Sequence, residues 1–209
     1  MNFAVYRVHL ETMSKAEGGF LVGKILVAMP GIGDPRFERA VIFMCAHDAD
    51  HALGLTINQP LEGLTMSEVL KKMGLHTHAD SRQNRVLLGG PVHRDNGFVL
   101  HTDDYVSIPP PGTEPATLQI GSGIALTATR DVLEAMASPT SRPRKAVMAL
   151  GYAGWGAGQL EQELRDNVWL ICAADEALLF GDDHEHKWQQ ALAKPGVNPD
   201  QLSGASGRA

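Results

Sequence analysis

VMALGYAGWGAGQLEQE, residues 147 to 163, is the stretch from which the fold of this 209-residue chain is read. Val147 to Leu150 form an apolar run, Gly151, Gly154, Gly156 and Gly158 punctuate the residues after it, and Leu160 and Leu164 recur at helical spacing. The segment reads as strand, tight loop, helix. A glycine loop leading into a helix can present backbone N–H groups to an anion. This makes Gly151, Gly154, Trp155, Gly156 and Gly158 the first ligand-binding candidates. The loop matches neither G-x-G-x-x-G nor the Gly-Lys-Ser/Thr ending of a P-loop, which leaves an anion or nucleotide-phosphate site as the lesser alternative. The plainer and favoured explanation is that the glycines let Tyr152 and Trp155 pack while the backbone turns.

Working outward, the neighbouring segments read mostly as strands in hairpin-like pairs. Ile25 to Met29 is a short strand stopped by Pro30. Ala40 to Ala46 is nearly all apolar, as a strand covered on both faces would be. A polar connection over His47 to Leu53 leads to a returning strand, Gly54 to Ile57, ended by Asn58, Gln59 and Pro60. Val86 to Leu88 and Gly97 to Leu100 are strands joined through Gly89-Gly90-Pro91 and a polar turn. Leu118 to Ile120 and Ile124 to Thr127 flank Gly121-Ser122-Gly123 as a hairpin. Val168 to Cys172 is a further strand.

Helices come singly and are short. Thr65 and Glu68 form a capping box, with Met66, Val69, Leu70 and Met73 on one face and Gly74 as the stop. Thr129 is placed to cap a helix carrying Val132, Leu133 and Met136. Asn167 is placed to close the helix after the glycine loop, a short turn covers Glu176 to Leu179, and Lys187 to Leu192 forms the last helix. Paired strands with single helices give α+β, with a largely antiparallel or mixed sheet, rather than a parallel doubly wound fold. The polar run His76 to Arg85 is a surface loop, and Pro109 to Pro115 is a stiff loop too short to be a domain linker.

Hydrophobic residues make up 44% and charged residues 20% of the chain, as in an ordinary globular protein. A net charge of −6 is opposite to the balance a dedicated DNA-binding domain needs. Arg142, Arg144 and Lys145 are the nearest thing to a basic cluster and read as a solvated turn. Cys45 and Cys172 lie in apolar runs and read as buried free thiols of a reducing compartment. With no membrane-length apolar run and no signal pattern, the expected location is the cytoplasm, with no membrane partner.

The chain contains nine histidines, but their spacings (His47 and His51, His76 and His78, His184 and His186) reproduce no zinc signature, so no metal site is expected. The Asp182 to His186 cluster is the first place to look for one. Ser122 lacks the G-x-S-x-G frame of a nucleophile elbow, and no catalytic set is assigned. Asp34, Arg36, Glu38 and Arg39 form a polar group denser than a plain loop needs. They read as ion pairs at the mouth of the sheet, with a ligand-binding lip as the sharper alternative.

Several motifs in order resemble the bacterial AlgH/YqgE family. They are Ala28-Met29-Pro30 through Asp34-Pro35-x-Phe37, Cys45-x-His47, Asn58-x-Pro60, Leu88-Gly89-Gly90-Pro91-Val92, Gly97-Phe98-x-Leu100-His101, Thr129-Arg130-Asp131-Val132-Leu133, and Leu150 to Glu163 with Asn167 and Trp169. The resemblance implies a single α+β domain over residues 20–196. From their own pattern, residues 1–19, alternating and then polar, read as an N-terminal arm outside the main core, and the Gly-, Ser- and polar-rich residues 197–209 as a flexible tail. The resemblance also implies a cytosolic protein. It brings no established activity and no agreed catalytic residues; the family takes its name from regulation of alginate synthesis, and members are labelled transcriptional regulators. Gln59 stands where many members carry a basic residue, and Ala128 where they carry a hydroxyl.

The expected function is therefore regulatory and non-enzymatic, acting through a protein partner or a small anionic ligand, without a cofactor. One alternative is a hydrolase or transferase joining the glycine loop to Asp34, Arg36, His47 and His93, with Arg130 as a further ligand-binding candidate. The other is a regulator that binds DNA directly, which the charge and the lack of a helix-turn-helix pattern disfavour. The sequence carries no signal for oligomeric state.

Overall fold

The expected strand at Ala40 to Ala46 forms over Val41–His47, buried throughout. Its alternation explains the unbroken apolar run. Val41, Phe43 and Cys45 point into one core with Ile25, Leu55 and Trp188, while Ile42 and Met44 point into a second with Leu26, Trp155 and Trp169. A strand sandwiched in this way has no face to give to polar residues.

The computed structural model describes residues 21–75, 85–107, 117–198 and 202. The strands among them are β1 (Lys24–Ala28), β2 (Val41–His47), β3 (His51–Thr56), β4 (Pro60–Thr65), β5 (Arg85–Leu88), β6 (Val92–Thr102), β7 (Thr117–Gly121), β8 (Ile124–Thr127), β9 (Ala146–Gly156) and β10 (Trp169–Ala173). The helices are α1 (Met66–Lys72), α2 (Arg130–Met136), α3 (Gln159–Arg165), α4 (Glu176–Phe180) and α5 (Lys187–Ala193), with a 3-10 turn at Pro35–Phe37. The arm 1–19, the His76 and His78 pair, the Pro109 to Pro115 loop and all but Val197, Asn198 and Leu202 of the tail lie outside the described residues. Val197 and Leu202 pack, partly buried, against the first core.

One curled sheet runs in the order β10-β1-β2-β3-β9-β6-β8-β7. All neighbours along that path are antiparallel, and the one parallel pairing described is β5 with β9. The α+β class and the largely antiparallel sheet agree with the expectation from sequence. Helices α4 and α5 cover the first core with Leu178, Leu179, Trp188, Ala191 and Leu192, and α3 covers the second with Leu160. A third core lies under α1 and α2, where Met66, Val69, Leu70, Val132 and Leu133 meet Val86, Val99 and Met148. No helix among the described residues is long and apolar enough to cross a membrane.

The Thr65 capping box forms with both bonds in place, and Gly74 follows the helix at φ +75°. Asn167 closes α3 in the left-handed region, φ +56°, with the Val168 N–H returning to the Glu163 carbonyl. Thr129 occupies the N-cap of α2 but makes no side-chain cap bond.

Four local readings change. The His47 to Leu53 connection shrinks to Asp48 to Asp50, because Asp48 Oδ1 accepts from the N–H groups of Asp50 and His51 and so closes the turn early. Beyond Asn58 the chain does not leave the sheet: Pro60–Thr65 pairs with β5. Strands β5 and β6 are not partners, since β9 lies between them, parallel to β5 and antiparallel to β6. Most important, the residues read as a glycine loop are strand: β9 continues to Gly156, and only Ala157 and Gly158 separate it from α3.

Candidate functional site

Gly151 kinks β9 without ending it. It sits at φ +70°, and a Cβ there would lie 2.6 Å from the Gly90 carbonyl oxygen and 2.8 Å from that of Val92. The glycine is needed because β6 shifts register between Val92 and Gly97 as the two backbones converge. Beyond it the segment is laddered to β3, with Leu53 opposite Gly154, Ala52 opposite Trp155 and His51 opposite Gly156. The Gly156 N–H donates to Gln159 Oε1 at 3.1 Å. A free cradle of N–H groups is therefore not what this stretch offers, and its glycines mainly solve a packing problem.

The side chains around it fall into two groups on opposite faces. Beneath α3, Trp155 and Trp169 meet edge to face at 6.0 Å, and both indole N–H groups donate to the same oxygen, Glu163 Oε2, at 2.8 and 2.7 Å. His47 Nε2 lies 2.7 Å from Glu161 Oε1 on the same helix. The Glu161 carboxyl is held below its usual range by its own backbone N–H and then by His47. On the other face, Gly154, Gly156, Tyr152, His51 and Val92 line a shallow depression of about 270 Å³. His93 stacks on Tyr152 at 6.1 Å between ring centroids.

The remaining candidates stand apart. Asp34 and Arg36 pair with each other, with Arg36 Nε 3.0 Å and its terminal nitrogen 2.6 Å from the Asp34 carboxylate, which Arg36 holds below its usual range. Phe37 joins that turn to Trp169, edge on at 5.8 Å. This is the ion pair at the sheet mouth. Arg130 lies on α2, where it donates to Glu134 Oε1 and to the Met73 carbonyl. Cys45 and Cys172 are free and buried, and burial pushes both thiols up, away from the reactive thiolate.

A further cavity, of about 290 Å³, gathers residues that no sequence pattern joined. Arg142, Arg144 and Lys145 come from the turn before β9, Arg85 from the start of β5, and Asp182 and His184 from the segment after α4. Met66, Met136, Val147 and Phe180 add apolar lining. The basic group expected to be a solvated turn is one wall of this cleft. Arg144 donates to both Glu176 oxygens, at 2.9 and 2.5 Å, and Lys145 Nζ lies 3.1 Å from the same carboxylate. Those cations draw the Glu176 carboxyl down to about 2.

His184 carries a buried Nδ1 with no hydrogen-bond partner among the described residues. Burial, and then the Lys187 charge, push its imidazole below the usual range, so the ring is neutral at pH 7. Behind it the buried Lys187 donates from Nζ to the Ile57 carbonyl at 3.0 Å, and burial lowers this ammonium to about 8. His186, expected to share a cluster with His184, instead pairs with Asp183 at 2.7 Å. Two signals for the cleft were present in the sequence, the Arg142 to Lys145 group and the Asp182 to His186 group. Nothing local connected them, since all of β9, α3, β10 and α4 lies between.

Comparison with known proteins agrees with this architecture. A family model described as AlgH-like matches residues 25–200. A UPF0301 protein of Caulobacter vibrioides is 60% identical over 92% of this chain and 96% of its own length. A UPF0301 protein of Bradyrhizobium is 45% identical over 93% of this chain and 90% of its own. The solution structure of the AlgH protein from Pseudomonas aeruginosa matches with a TM-score of 0.69 and 38% identity, covering 93% of this chain and 99% of that one. By sequence, by family model and by fold, the chain belongs to the AlgH-like family.

Proposed function

We propose that the protein is a cytosolic, regulatory binding protein that acts through a small anionic ligand held in the basic cleft, and that it is not an enzyme. The observation that carries this reading is the convergence of Arg85, Arg142, Arg144 and Lys145 on one cavity beside the neutral, half-buried imidazole of His184. Guanidinium groups from separate elements offer several charge-assisted hydrogen bonds to one oxyanion. The partly apolar lining lowers the local dielectric and strengthens each of them. In this reading the ligand, or a protein partner that senses whether the cleft is filled, carries the signal.

Calorimetric titration with inorganic phosphate and pyrophosphate tests it. Saturable binding is expected, weakened in Arg85→Ala and more so in Arg85→Ala/Arg142→Ala, with the fold unchanged by circular dichroism. Failure of every small anion to bind the wild-type protein overturns it.

The His47 and Glu161 pair supports a second reading, a hydrolase or transferase. A carboxylate that orients an imidazole at 2.7 Å is the arrangement a general base uses. Turnover of activated esters or phosphate esters, abolished in both His47→Gln and Glu161→Gln, would favour the enzyme. Activity that survives both changes would remove it.

A further inference from the structure

Two glycines of β9 are left without a purpose by the fold. Gly151 is required by its φ and by the approach of Gly90 and Val92, but Gly154 and Gly156 have ordinary φ, are exposed, and sit in a ladder to β3 whose register is regular. A Cβ at Gly156 would meet nothing within 4 Å, and the nearest neighbours of one at Gly154 would be side-chain atoms, Tyr152 Cε2 first at 3.0 Å. Glycine weakens a strand, since it has the most backbone freedom to lose and no side chain to pack. Where no turn, bulge or neighbouring backbone demands it, the close approach of another molecule is the remaining reason for it.

Strand alternation puts both glycines on one face with Tyr152, and pairing sets Leu53 opposite Gly154 and His51 opposite Gly156. The result is the depression of about 270 Å³, floored by bare backbone and walled by Tyr152, Val92, Leu53 and His51. A cavity of roughly 150 Å³ accommodates benzene, so one aromatic ring with a substituent fits. A flat group buries a whole face against such a floor. The Tyr152 ring, with His93 stacked on it, makes one wall aromatic. Among the described residues no Lys, Arg, Asp or Glu lines the depression, and none of its lining is shared with the basic cleft. Its chemistry suits an uncharged ligand.

His51 is the imidazole on that lining. Its side chain is 29% exposed, and its Nδ1 lies 2.9 Å from Asp48 Oδ1. The carboxylate accepts, so Nδ1 carries the proton, and in the neutral ring Nε2 is left as an acceptor. Asp48 is the one side-chain hydrogen-bond partner of this ring among the described residues.

We propose that this depression is a second binding site, for an uncharged planar aromatic ring bearing an O–H or N–H donor. The ring lies on the backbone of Gly154 and Gly156 beside Tyr152, and the donor bonds to His51 Nε2. Asp48 is a positioning residue that sets the tautomer. The site is independent of the small-anion reading, and either can fail alone.

The test titrates the ¹⁵N-labelled full chain with three probes, followed by NMR. Phenol has the ring and the donor, anisole the ring without the donor, and cyclohexanol the donor without the planar ring. Phenol is expected to give saturable shifts centred on the amides of Gly154, Gly156 and His51. It should bind about fivefold more tightly than either control, the scale of one net hydrogen bond or one aromatic contact. Gly156→Val places a side chain in the open space of the depression, and valine suits a strand. Phenol affinity should fall about tenfold or more, with the melting temperature and the remaining amide spectrum unchanged. His51→Gln, which does not depend on the sheet accepting valine, should bring phenol down to the affinity of anisole and leave anisole unaffected.

No saturable shift with phenol overturns the site. Phenol binding that survives Gly156→Val in a folded protein, or shifts centred away from β9, overturns its location. Equal affinities for phenol and anisole, or no effect of His51→Gln, overturn the bond to His51. Cyclohexanol binding as tightly as phenol overturns selection for a planar ring.

Discussion

Arg144 and Glu176, 32 positions apart in the chain, meet through two hydrogen bonds of 2.9 and 2.5 Å at the basic cleft. The pair is a planar fork on a carboxylate, the geometry in which a guanidinium would also hold a ligand's oxyanion. Glu176→Gln removes the internal counter-charge while preserving size. Binding of inorganic phosphate should tighten severalfold and become more salt-dependent, as measured by titration at two ionic strengths. The melting temperature should barely move, because an exposed ion pair contributes little to stability. Unchanged or weaker binding would show that Glu176 does not compete for the cations of the cleft.

The two indoles sharing Glu163 give a stability prediction. Trp155 and Trp169 are 6% and 5% exposed, so their N–H groups have little access to water once the carboxylate is gone. Glu163→Ala should cost about 1 to 3 kcal/mol for each donor left unsatisfied. Glu163→Gln retains an acceptor and should cost less. Chemical denaturation followed by tryptophan fluorescence checks both, and equal losses for the two variants would argue that the shared bond is not the source.

Glycine positions along β9 distinguish packing from binding. At Gly151, φ is +70° and an added Cβ meets backbone oxygen at 2.6 Å, so Gly151→Ala should cost about 3 kcal/mol. Gly158 has the same φ but open space, and its alanine variant should lose about 1 kcal/mol. A Cβ at Gly156 meets nothing within 4 Å and φ is ordinary, so Gly156→Ala should be near neutral. A severe loss at Gly156 would contradict this ordering in a thermal melt.

Buried His101 sets part of the acid sensitivity. It is fully enclosed, with Nδ1 2.8 Å from the Thr102 carbonyl and Nε2 2.9 Å from Thr127 Oγ1. Burial pushes the imidazole below its ordinary value of 6.5. The unfolded chain thus binds this proton first. Its contribution is fully present above pH 6.5 and is lost as pH falls from there through the lowered folded value. His184 shifts in the same direction, while exposed His186, raised by Asp183, opposes it. Denaturation midpoints should decline from pH 7.5 to 5, and His101→Gln should flatten that slope even if it lowers the plateau. A slope unchanged by the substitution would assign the effect elsewhere.

What the chain revealed by itself is what short-range physics decides. The Thr65 and Glu68 cap, the hairpin at Gly121 to Gly123, the Asn167 stop and the doubly covered strand at Val41–His47 all depend on neighbours a few residues away. The order of family motifs was legible for the same reason, since each is a local pattern. Gly151 to Gly156 misled because glycine reports only permissiveness. Whether it serves a turn or a close approach between strands is set by Gly90 and Val92, some 60 residues earlier in sequence. The cleft was illegible on the same grounds. Arg85, the Arg142 to Lys145 turn and His184 acquire a common purpose only when β5 pairs parallel to β9 and α4 packs across the sheet. Charge and alternation are written in the sequence, but which charges share one cavity is decided by long-range pairing.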